Sequence, residues 1–197
     1  MTPDRVLVIV RHGETEWSRS GRHASRTDLT LTDQGHAQAI LLGRRLAHWE
    51  FALVLTRPLA RASQTCALAG YGERAVVDDN LTEWDYGTYE GQRTDDIRRQ
   101  QPGWTLWDDG APGGETAAQV SARAQRVLTR ATATNGHVVL FAHGHILRAV
   151  AARWLGRPAG DGRFYALSAA SVSVLGHERE QPVILCWNDA GHLSGDA

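Results

Sequence analysis

Short apolar runs separated by longer amphipathic stretches organise this chain. Val6–Val10 (VLVIV) has no polar alternation, which marks a strand covered on both faces, as in a parallel sheet between helices. His137–Ala142 (HVVLFA) repeats the pattern and Phe51–Leu55 is a third such run. Between them lie helical periodicities. Ala37, Ile40, Leu41, Arg44 and Ala47 trace one face behind an N-cap at Thr32, and Val120, Ala124, Val127, Leu128 and Ala131 trace another within Thr116–Thr134. A third helix follows Phe51–Leu55, with Pro58 in its first turn and Gly70 beyond its end, and a fourth, ILRAVAARWLG, stops at Gly156. Arg74–Val77 reads as a short edge strand and Asp95–Gln101 as a short helix, while Ser171–Leu175 and Val183–Trp187 read as the antiparallel or edge part of the sheet. This order of βαβ units predicts an α/β fold, a three-layer α/β/α sandwich with a mostly parallel central sheet.

Three segments carry no periodicity: the stretch from Ser18 to Gly35, DDNLTEWDYGTYEGQ, and QQPGWTLWDDGAPGGET. Their glycines and prolines make them loops, and loops of about 15 residues in a compact domain are commonly functional. With no repeat or linker, 197 residues predict a single domain over 1–197.

Charge narrows the chemistry. With 21 basic and 22 acidic residues the net charge is -1, which predicts no nucleic-acid or membrane-surface partner, so any anion site must be local. Every basic residue is arginine, which excludes lysine-based Schiff-base and P-loop chemistry. Cys66 and Cys186 stand alone in apolar segments and read as buried thiols of a reducing compartment. No leader-like or membrane-length apolar run is present, and a cytoplasmic protein is expected.

Two apolar strands end in the same way, one in Arg11-His12-Gly13 and the other in Ala142-His143-Gly144. Neighbouring parallel strands would bring His12 and His143 to one mouth of the sheet, where helix N-termini add N–H groups for an oxyanion. Arginines beside the histidines would repel a cation, so His12, His143 and His145 are weaker as metal ligands, and no metal or cofactor is expected.

At these residues the chain resembles the histidine phosphatase superfamily, the phosphoglycerate mutase-like fold, over nearly its whole length. Arg11-His12-Gly13-Glu14-Thr15 with Trp17 stands as the opening motif, LARASQT supplies Arg61, LTEWDYGTYEG supplies Glu83 followed by the Glu90-Gly91 pair, and AHGHILRA supplies His143. The resemblance implies His12 as the nucleophile that becomes phosphohistidine and Glu83 as proton donor and later base. Arg11, Arg61 and His143 then clamp the phosphate. Ser18, Arg22 and Gly144 join Arg11, Arg61, Glu83 and His143 in binding substrate. The same chemistry follows from the residue types: planar arginine forks match phosphate oxygens, and a neutral imidazole splits one displacement into two. As acid, Glu83 would need a raised pKa beside a dianionic phosphate.

Short length and few basic residues between Glu83 and Thr116, only Arg93, Arg98 and Arg99, favour water as acceptor. The expected activity is therefore phosphomonoester hydrolysis of a small phosphorylated metabolite, resembling the acid phosphatase and sugar bisphosphatase branch. A phosphoglycerate mutase-type transfer and a non-catalytic phospho-ligand binding domain are the alternatives. Trp84, Tyr86, Trp104 and Trp107 are open between pocket and core, and pairing of two copies through an edge strand is open too.

Overall fold

The computed structural model describes residues 5–194. Six strands form one sheet: β1 (Leu7–Arg11), β2 (Phe51–Thr56), β3 (Ala75–Val77), β4 (His137–Ala142), β5 (Val172–Glu178) and β6 (Gln181–Asp189), in the order β3-β2-β4-β1-β5-β6. The first four in that order run parallel, and β5 pairs antiparallel with both β1 and β6. Helices α1 (Glu16–Ser20), α2 (Asp33–Leu46), α3 (Ala60–Leu68), α4 (Thr94–Gln100), α5 (Leu106–Asp109), α6 (Ala117–Thr132) and α7 (Gly144–Trp154) complete the three-layer α/β/α sandwich that the apolar pattern predicts.

The continuous apolar character of β1 has the expected cause. Leu7 and Ile9 pack with α6 and α7 on one face, whereas Val8 and Val10 pack with Leu42 and Leu46 of α2 and with Cys66 of α3 on the other. Val8, Ile9 and Val10 are fully buried, and each such side chain is worth about 1.5–3 kcal/mol of transfer free energy. Thr32 and Thr116 cap α2 and α6 through their hydroxyls, the latter in a reciprocal box with Gln119.

Local departures have local reasons. Pro58 lies outside α3 rather than in its first turn, because Leu59 is extended and serves as the N-cap. The short helices α1, which runs from the opening motif into a segment read as a loop, and α5, inside another such segment, are single turns held by the capping threonines Thr15 and Thr105, too brief to show a period. Cys66 is buried and free, as expected, whereas the free thiol of Cys186 on the outer strand is only half-buried. Among the described residues no helix is long and apolar enough to cross a membrane.

Candidate active site

Register between β1 and β4 builds the site. Arg11 pairs with Ala142, so His12 and His143 leave the sheet side by side, and the His12 N–H donates to the Ala142 carbonyl at 2.9 Å. Their rings meet edge-on with centroids 5.2 Å apart. The turn at Gly13 is glycine because α2 approaches it closely: a Cβ there would lie 2.6 Å from the Gly35 carbonyl oxygen, and one on Gly35 would lie 2.1 Å from that of Glu14.

His12 is held in one tautomer. Its Nδ1 lies 2.7 Å from the Gly13 carbonyl oxygen, a partner that only accepts, so Nδ1 carries the hydrogen and the Nε2 lone pair is free. Burial, with the charges of Arg11 and Arg61, drives its pKa down to about 3. The Gly13 N–H is fixed in turn by Thr65 Oγ1 at 3.0 Å.

Two buried donors have no partner among the described residues: Arg11 Nε, on the residue before His12, and His143 Nε2, in the ring that meets that of His12. Arg11 is anchored by Nη1 on the Leu167 carbonyl at 2.5 Å. Arg61 Nε donates to His143 Nδ1 at 3.1 Å, and since a guanidinium only donates, the hydrogen of the neutral His143 ring sits on Nε2. His143 is held neutral, its pKa well below the ordinary range through burial and the charge of Arg61. A Cβ on Gly144 would sit 3.5 Å from Arg11 Nε and 3.7 Å from Glu83 Oε2, so a glycine keeps the space between them open.

Glu83 is fully buried against the N-terminus of α7. Oε1 accepts from the backbone N–H groups of Trp84 and Ile146, and Oε2 from that of His145, all at 2.9 Å. Burial alone would raise its pKa, but the hydrogen bonds from His145 and from the backbone N–H groups hold it well below the usual carboxylate range. The helix N-terminus expected to greet an oxyanion thus already holds this carboxylate, and in the free protein Glu83 is ionised.

The cavity, about 190 Å³, is lined by Arg11, His12, Ser18, Arg22, Glu83 and Gly144 among the sequence-predicted residues. Neither Arg61 nor His143 lines the wall: both are buried, Arg61 with Nη1 on the Thr27 carbonyl and Nη2 on those of Ala24 and Ser25. Ser18 reaches the wall with its hydroxyl already engaged, accepting from Thr15 N–H and donating to the Thr15 carbonyl. His23, Tyr86, His145, Arg148 and Leu167 also line the wall and were not assigned as binding residues from sequence. Arg148 was within reach of such reasoning, since it lies four residues after Gly144 on the same helical face. Trp84 and Trp104 belong to the core, while Trp107 lies under Arg148, whose guanidinium is 4.7 Å from the ring centroid. Among the described residues no group of three His, Cys, Asp or Glu side chains is placed to hold a metal ion.

Neutral buried histidines make stability pH-dependent. Between about pH 6.5 and 3 the unfolded chain binds a proton that folded His12 refuses, so stability falls as pH drops and is fully present above 6.5. His23, driven to about 4 chiefly by burial, acts in the same direction. The expected slope from His12 is at most about 1.4 kcal/mol per pH unit. Urea midpoints measured from pH 7 to 4 should give a shallower pH slope for His12→Asn than for wild type. An unchanged slope would show that His12 is protonated in the folded protein.

The arrangement is that of an α/β protein able to hold a tetrahedral oxyanion against a nucleophilic ring nitrogen. Residues 7–190 match the model of the Histidine phosphatase superfamily (branch 1), and the chain belongs to that superfamily. It is 40% identical over 190 residues to an acid phosphatase of Mycobacterium tuberculosis, covering 94% of this chain and 93% of the relative. It is 36% identical over 182 residues to the sedoheptulose 1,7-bisphosphatase of Saccharomyces cerevisiae, covering 76% and 67%. The solved structure of a Mycobacterium tuberculosis open reading frame superposes with a TM-score of 0.92 at 37% identity, covering 96% of this chain and 100% of the other. A mycobacterial glucosyl-3-phosphoglycerate phosphatase solved with VO3 gives 0.84 at 27% identity, covering 94% and 100%.

Proposed function

We propose that this chain is a phosphomonoester hydrolase that removes phosphate from a small phosphorylated metabolite through a phosphohistidine on His12. The observation that carries this reading is the free, neutral Nε2 of His12 together with the unpartnered Arg11 Nε and His143 Nε2. Arg11 and the His143 N–H neutralise phosphate oxygens, Arg61, bonded to His143, adds its charge, and His12 attacks phosphorus in line with the leaving oxygen. Glu83 receives negative charge opposite it when phosphate enters, which raises its proton affinity and readies it to protonate the leaving oxygen. Water then attacks the phosphohistidine, with Glu83 as base. The names of relatives support a phosphatase, and the cavity favours water as acceptor, since Arg93, Arg98 and Arg99 do not line it.

The test is release of inorganic phosphate from an aryl phosphate and from a panel of phosphorylated metabolites, with acid-labile, base-stable label trapped on the protein. A chain that binds phosphate and turns over none of them would be a binding domain instead. Since arginines supply the charge neutralisation, exhaustive chelation should leave the rate unchanged, and activity lost to chelator and restored by zinc or magnesium would defeat that part of the reading.

Arg148 extends the proposal to substrate choice. Its Nε and Nη2 are held by the Gly162 and Arg163 carbonyls at 2.9 and 3.2 Å, which leaves Nη1 without a partner among the described residues on a wall of the cavity. A charge-assisted bond to a second anionic group is worth about 1.5–3 kcal/mol. Arg148→Met should therefore lower kcat/KM for a sugar bisphosphate roughly 10- to 100-fold more than for an aryl phosphate. Equal losses would show that Arg148 meets no second anion.

A further inference from the structure

We infer that Glu90 is a positioning residue of the site, fixing the loop at 24–27 so that Arg61 holds His143 in the tautomer whose Nε2–H stands beside His12. The inference rests on the phosphohistidine reading above.

Glu90 does not line the cavity, and both its oxygens are engaged: Oε1 and Oε2 accept from the Ser25 N–H at 2.9 and 3.0 Å, and Oε1 also accepts from that of Thr27 at 3.1 Å. The same loop turns its carbonyls the other way. Ala24, Ser25 and Thr27 present them to the Arg61 guanidinium at 3.1, 3.1 and 2.9 Å. The Ala24–Ser25 peptide thus lies between the carboxylate on its N–H side and the guanidinium on its C=O side, and each charge strengthens the bond made by the other. The Ser25 hydroxyl also donates to the Glu83 carbonyl at 3.3 Å and Asp28 accepts from the Ala60 N–H, but among the described residues it is Glu90 that takes up the Ser25 and Thr27 N–H groups.

Those carbonyls orient the guanidinium fork, and that orientation directs Nε at His143 Nδ1. While the bond stands, Nδ1 can only accept and the ring hydrogen stays on Nε2, a buried atom without a protein partner. An imidazole released from Arg61 populates both tautomers, and the Nδ1–H form turns a lone pair toward a phosphate oxygen where a donor is required. Glu90 therefore acts on the anion through three intermediates: the loop, Arg61 and His143.

The experiment is ¹⁵N-histidine NMR on the intact protein, with His143 assigned by its loss in His143→Gln, alongside aryl phosphate kinetics. Wild type should show His143 as the single Nε2–H tautomer. Glu90→Ala should show mixed tautomers and a kcat reduced about 100-fold with KM little changed, because a misplaced donor is felt most in the transition state. Glu90→Gln, which keeps one acceptor oxygen, should recover most of both, and it also serves where Glu90→Ala does not fold. Arg61→Met should give the same tautomer mixture as Glu90→Ala. If Glu90→Ala, or Glu90→Gln in its place, loses stability or rate while His143 stays wholly Nε2–H and Arg61→Met does not, Glu90 only folds the loop and the inference falls. If wild type forms no phosphohistidine on His12, the functional reading falls instead, whatever the tautomers show.

Discussion

Replacing His12 by alanine should lower phosphomonoester turnover by roughly 10⁴- to 10⁶-fold, the scale seen when a nucleophile is removed from a covalent mechanism. Affinity for phosphate or vanadate should stay within about tenfold of wild type. The two outcomes separate because the nucleophile and the anion donors are different groups. Arg11 is anchored on Leu167, and His143 is held by Arg61, so neither depends on the His12 ring for its position. The His12 main-chain N–H also keeps its bond to Ala142 in the variant, which holds β1 and β4 in register at the mouth. Binding is checked by calorimetry with vanadate, and chemistry by trapping label from a phosphorylated substrate. Label present on wild type and absent from His12→Ala supports the assignment. Label found on His143 would overturn it, and with it the tautomer argument, since a ring whose Nδ1 accepts from Arg61 offers phosphorus no lone pair on Nε2.

What could be read in the sequence follows from what is periodic. β1 and β4 are legible because burial on both faces removes every polar residue from Val6–Val10 and nearly all from His137–Ala142, and their shared endings alone place His12 and His143 together at one end of the sheet. α2 and α6 are legible because Thr32 and Thr116 cap clear apolar stripes. The destination of Arg61 was not legible. Its role as a fork for phosphate comes from residue type, whereas its actual partners are carbonyls of an aperiodic loop some 35 residues away in sequence, and nothing in ASRT marks where those carbonyls point. The same limit hid the state of Glu83. A carboxylate 62 residues before His145 claims the N–H groups that open α7 and is held well below the usual carboxylate range in the free protein, whereas the raised pKa expected of it belongs to the state with phosphate beside it. Trp84 and Trp107 come from segments of similar composition and meet edge-on with centroids 5.4 Å apart, yet Trp84 is fully buried whereas Trp107, on α5, is only partly buried beneath Arg148.

Glu83→Gln should discriminate between substrates by their leaving groups. For an alkyl phosphate of a sugar, whose alkoxide leaves poorly, loss of a general acid costs on the order of 10²–10⁴ in rate. An aryl phosphate leaves as a weakly basic phenolate and should lose far less. The structure sharpens the experiment, because Glu83 is ionised at rest and held by three backbone N–H groups, so it must gain its proton when the anion binds. The glutamine amide can still accept those bonds on its oxygen, but its NH₂ meets an N–H donor where Oε2 stood, and a modest loss common to all substrates is expected from that mismatch. A ratio of rates cancels the common loss. Single-turnover formation of phosphohistidine is the step to measure, since Glu83 as base for water would slow steady-state turnover of every substrate alike. The wild-type to Glu83→Gln ratio should be far larger for the sugar phosphate, and the pH profile of that step should lose its acidic-side advantage in the variant. Equal ratios would leave Glu83 a role in charge and geometry only. The other acids near the motif segments offer no substitute: Asp85 pairs with Arg26, Glu90 holds Ser25 and Thr27, and Glu14 accepts from the Thr32 hydroxyl. Proton donation would then pass to His145, which lines the cavity with Nδ1 2.7 Å from the Tyr86 hydroxyl, and His145→Gln would show the leaving-group dependence that Glu83→Gln lacked.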